Sequence, residues 1–80
     1  MEQKIKQPEK SIGRNIRRIR KERGIGQTQL VQMLQLLGVN ITREALVKIE
    51  GGRQHITRAQ ICGFKICLNT TYEELLEGKP

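Results

Sequence analysis

Stops at Gly24, Gly38, Gly51 with Gly52, and Gly78 cut this chain into short segments, and within each the apolar residues recur three and four apart. That spacing lines one side of an α-helix; a strand would alternate. Ile12, Ile16 and Ile19 make such a stripe from Ser11 up to Gly24, which stands where a helix C-terminus places glycine. A second helix is predicted from Gln27 to about Leu37, burying Leu30, Val31, Leu34 and Leu37 and ending at Gly38. Thr42 is placed to cap a third, with Ala45, Leu46 and Ile49 inward and the two glycines after it. Thr57 with Gln60 matches a capping box that opens a helix burying Ile61, Phe64 and Leu68. A second box, Thr71 with Glu74, opens a short last helix carrying Tyr72, Leu75 and Leu76. No β pattern of comparable strength and no internal repeat is present, so the expected fold is all-α, a compact bundle of five helices.

Residues 1–10 are polar, charged and interrupted by Pro8, and are expected to form a flexible basic arm ahead of one domain over 11–78. A chain of 80 residues buries roughly 60% of its unfolded surface but is too small for an elaborate active-site cleft, which favours a binding module over an enzyme. About a dozen buried apolar side chains at ~1.5–3 kcal/mol each are opposed by ordering entropy of similar size, so marginal but independent folding without metal or disulfide is expected. Fifteen Lys and Arg against eight Asp and Glu give a net charge of +7, which favours polyanionic partners, nucleic acid first and an anionic membrane surface second. The charge is concentrated: residues 1–26 hold nine cations against three glutamates, a net of +6. The sequence lacks both a long apolar run and the apolar core of a leader peptide, so the expected location is the cytoplasm, with Cys62 and Cys67 reduced. The triplets at Asn40 and Asn69 that match glycosylation sites are then chance matches.

The third segment poses the functional question, because Arg43, Glu44, Val47 and Lys48 all fall on its non-apolar side. A helix fits the DNA major groove, where arginine forks onto guanine, a carboxylate accepts from cytosine and an aliphatic side chain meets the thymine methyl. The bland alternative is a solvated charged face, with Glu44 and Lys48 simply pairing at i, i+4. Other chemistries are poorly supplied. Cys62 and Cys67 stand on different faces of one helix, and His55 is the only histidine, so neither a metal site nor a nucleophilic triad is built. No phosphate-binding glycine fingerprint and no cofactor motif is present.

Taken in order, "IGRNIRRIRKERGIGQTQLVQML", "ITREALVKIEGGR" and "TTYEELLEG" resemble the lambda repressor and Cro type of helix-turn-helix domain, the XRE family. The resemblance spans residues 12–78 and rests on an Arg-rich first helix, Gly-x-x-Gln opening the second, Ile-Glu-x-Gly closing the third and a final Leu-Leu pair. It implies a lambda-repressor-like fold in which Arg43, Glu44, Val47 and Lys48 face base edges and Gln27 and Arg53 meet phosphates. Glu50 would pair structurally with Arg20. The sequence departs from the family in three places. The 27–42 segment is longer by more than one turn of ~3.6 residues, extending the second helix or its turn. Gly26 replaces a Ser or Thr cap, and Lys65 and Ile66 invert the usual apolar and polar positions.

Three functions compete on these grounds. The first is a sequence-specific double-stranded DNA-binding transcriptional regulator, of phage-repressor or antitoxin style. It would act as a homodimer through the region of Cys62, Gly63 and Ile66, against the alternative that a register shift buries Ile66 in the monomer. The second is a protein-interaction module that serves a toxin partner. The third is a basic amphipathic membrane-surface anchor made by the first helix.

Overall fold

In the computed structural model, which describes residues 9–78 apart from the side chains of Glu9 and Lys10, the chain forms five α-helices. They are α1 (Glu9–Glu22), α2 (Gln27–Leu36), α3 (Arg43–Glu50), α4 (Arg58–Cys67) and α5 (Tyr72–Glu77), and no strand occurs among the described residues. The isoleucine stripe of α1 is fully covered, joining Leu30, Leu34, Leu46, Ile49, Phe64, Leu68 and Leu75 in one core. A membrane anchor needs that stripe free, so α1 in this fold has no apolar side to insert. Among the described residues no helix is long and apolar enough to cross a membrane.

The arm expected over 1–10 lies outside the described residues except for Glu9 and Lys10, which form the first turn of α1. The helix therefore starts two residues before Ser11, since neither residue breaks a helix. At its other end, Arg23 turns back across the bundle and its Nε donates to the Leu68 carbonyl at 3.0 Å. The Asn15 amide donates to the Leu75 carbonyl at 2.8 Å, tying α1 to α5.

α2 stops one residue short of the expected end. Leu37 is its C-cap, and Gly38 takes φ 85°, where a side chain would be strained. The Val39 N–H then bonds the Leu34 carbonyl and the Gly38 N–H bonds that of Gln35, the paired bonds of a Schellman stop. Leu37 is consequently turned out of the core: it is 48% exposed, and Leu36 is 88% exposed. Residues 37–42 connect α2 to α3, longer than the three or four residues of an ordinary helix-turn-helix turn. Ile41 fixes this connection, being buried in the core while its carbonyl accepts from the Gln35 amide at 3.2 Å.

Threonines open the remaining helices. Thr42, Thr57 and Thr71 each accept, through the side-chain oxygen, from the backbone N–H three residues on. Gln60 completes the box at Thr57 by accepting from its N–H at 3.0 Å. The box expected at Thr71 is only half made, because the Glu74 carboxylate accepts from the Thr70 hydroxyl and approaches Arg18 at 3.8 Å. α4 buries Ile61 and Phe64, and its C-cap Leu68, in the expected register, so no shift brings Ile66 inside; it is 55% exposed.

Candidate nucleic-acid interface

α3 stands on the bundle by its inner side and its C-terminal end. Leu46 and Ile49 are fully buried, whereas Arg43, Glu44, Val47 and Lys48 are exposed on the other side, with Val47 the least so. No ion pair joins Glu44 to Lys48 among the described residues, so the charged groups of this face are open to solvent and to a partner. One helical side thus presents two cations, a carboxylate and a small aliphatic group, the set that can address guanine, cytosine and a thymine methyl.

Two devices hold that helix. The first is a polar clasp at its C-terminal end, where Arg20 and Glu50 are only 7% and 8% exposed. Arg20 Nε donates to Glu50 Oε2 at 2.7 Å and Nη2 to Oε1 at 3.0 Å, a bidentate fork of the strong, charge-assisted kind. Arg20 Nη1 donates to the Ile25 carbonyl at 2.9 Å, and the Gln27 amide donates to Glu50 Oε1 at 3.1 Å. The clasp therefore joins α1, the turn after it, α2 and α3, and no buried side-chain nitrogen or oxygen among the described residues lacks a partner. The second device is Gly13, which no motif singled out. A Cβ there would collide with the Ile49 carbonyl oxygen and stand 3.0 Å from that of Glu50, so the missing side chain lets α1 pass directly across the end of α3.

Gln27 is placed differently from a purely phosphate-binding residue, since it is half-buried and its amide nitrogen is committed to Glu50. Its backbone, however, opens α2, whose N-cap Gly26 provides no side-chain oxygen. The Gln29 side chain returns to the Gly26 N–H at a long 3.4 Å, leaving first-turn N–H groups of α2 for an anion. Arg53 follows α3 in the loop before α4 and, with Gly52, Gln54 and His55, lines a shallow polar cleft there. Its side chain is exposed and folds back over Gly51, where its Nε is 3.3 Å from the place of a Gly51 Cβ.

Comparison with protein-family models, with curated proteins and with solved structures gave no match.

The far side of the bundle has a different character. Cys62 and Ile66 are exposed one turn apart on α4, but Gly63 is buried and does not belong to a surface patch. A Cβ at Gly63 would lie 2.8 Å from Leu34 Cδ2 and 3.0 Å from Val39 Cγ2, so its smallness serves the packing of α4 on α2 within the monomer. Tyr72 stands beside this face, its ring 5.4 Å from Lys65 Nζ. A hydrogen bond with the Cys62 side chain pushes the Tyr72 phenol above its ordinary range, and burial pushes the Cys67 thiol up. Both thiols are free, and no group of His, Cys, Asp or Glu capable of holding a metal occurs among the described residues.

Proposed function

We propose that the protein is a sequence-specific double-stranded DNA-binding transcriptional regulator of the lambda repressor and Cro type, acting in the cytoplasm and reading the major groove with α3. The observation that carries this reading is the exposed side of α3, where Arg43, Glu44, Val47 and Lys48 stand open on a helix clasped by Arg20, Gln27 and Glu50. An ordinary solvated surface helix needs no such rigid seat, whereas base readout requires side chains held in register against the groove. The uncapped start of α2 and the exposed Arg53 supply phosphate contacts that fix the register.

Arg43→Ala is expected to relax preference at one base pair by ~1–3 kcal/mol, measured by titration against duplexes that differ at single positions. Arg53→Ala is expected to weaken all those duplexes alike. Uniform weakening by the Arg43 variant would contradict the assignment of α3 as the reading helix. A second reading, an interaction module for a toxin or another protein, draws on the exposed Leu36 and Leu37 beside the α2–α3 connection. It predicts binding that is indifferent to DNA sequence.

A further inference from the structure

The basic residues of α1 divide by what they touch. Arg20 is inside the clasp, Arg23 donates to carbonyls at the end of α4, and Arg18 bonds Glu22 at 3.1 Å. Arg14, Arg17 and Lys21 remain, spaced along one outer side of the helix, all exposed and without an ion pair among the described residues. Neighbouring like charges at such spacings disfavour a helix by a few tenths of a kcal/mol per pair. Lys21, in the last turn, gains from the helix dipole, but Arg14 and Arg17 have no ion-pair partner among the described residues.

Their position gives the stripe a use. Arg17 comes four residues after Gly13 and three before Arg20, so it lies between them on the surface of α1. Gly13 passes beneath the Ile49 and Glu50 carbonyls and Arg20 grips the Glu50 side chain, which puts Arg17 at the edge of the seam where α3 ends. Arg53 folds back over Gly51 at that same end. A run of cations therefore leads from the loop after α3, past the seam, onto the outer side of α1.

We infer that Arg14, Arg17 and Lys21 continue from Arg53 as a phosphate track, so that α1 binds duplex backbone beside the bases under α3 without itself reading sequence. This builds on the DNA-binding reading of α3 and adds a second, sequence-independent part to its footprint. Lysine and arginine that neutralise phosphates release condensed counterions, and each contact steepens the fall of log K with log salt by about 0.9.

The test is the salt dependence of binding to a selected duplex and to a random one. The triple variant Arg14→Gln, Arg17→Gln, Lys21→Gln should fold as before and shed like-charge repulsion. It should lower the slope by about 2–3, weaken both duplexes to the same extent and keep the base preference. Arg58→Gln, a neutralisation on α4, should change the slope by only a small part of that. A triple variant whose slope falls no further than that of Arg58→Gln would overturn the track, even with base preference intact. A falling slope with no base preference in either protein would keep the track and refute the reading role of α3.

Discussion

Glu50 gathers three hydrogen bonds onto one nearly buried carboxylate, two from Arg20 and one from the Gln27 amide. Such a pair stabilises little relative to an apolar replacement, but breaking it leaves the partner charge stranded away from water. Glu50→Ala is therefore expected to cost up to about 3–5 kcal/mol, large against the ~5–15 kcal/mol total of an ordinary domain. Urea denaturation followed by helix circular dichroism checks this, and an unchanged midpoint would mean that the clasp contributes nothing. The pairing of Arg20 with Glu50 was legible only through resemblance, because thirty residues separate the partners and neither local pattern points to the other. The commitment of Gln27 to the clasp was not legible. A glutamine at a helix start reads equally well as a phosphate ligand, and its direction is decided by what packs beneath it.

Among the elements, the start signals were the most readable part of the chain, since a capping threonine acts within its own first turn. Thr42, Thr57 and Thr71 all cap as expected, while the return bond from Glu74 is lost to the neighbouring Thr70. Less was readable wherever the cause is distant in sequence. Ile41, a single apolar residue in a polar connection, has no periodicity to announce its burial. Leu37 looks like a continuation of the α2 stripe until the stop at Gly38 turns it outward. Gly13 is the sharpest example, for in a helix glycine is only a propensity defect until the crossing of α1 over α3 explains it. Gly13→Ala gains roughly 1 kcal/mol of helix propensity but drives a methyl group into a backbone carbonyl, an overpacking cost of typically ~1–3 kcal/mol. The variant should have a lower melting temperature, because backbone cannot rotate away as a side chain can. A higher one would show that the α1–α3 contact is loose.

On the scale of the whole molecule, charge is segregated. Residues 57–78 carry Arg58 and Lys65 against Glu73, Glu74 and Glu77, while most of the excess positive charge lies in the first third of the chain. Two copies meeting through α4 and α5 would avoid apposing their cationic sides, and two reading helices must reach half-sites ~34 Å apart on one face of DNA. We propose that the exposed Ile66, with Cys62 and Tyr72 nearby, forms the apolar centre of such a contact, whereas Gly63 is already spent on Leu34 and Val39. Ile66→Glu is expected to leave the fold intact, give a monomer in sedimentation and weaken operator binding. A variant that remains dimeric would place the interface elsewhere. Both halves of this account, a reading helix and a paired molecule, meet in one experiment: selection of bound sequences from a random duplex library. The expected result is an enriched site with two-fold related halves, in which Arg43→Ala loses the preference at one position of each half. A bound pool with no enriched sequence would contradict the claim that α3 reads DNA.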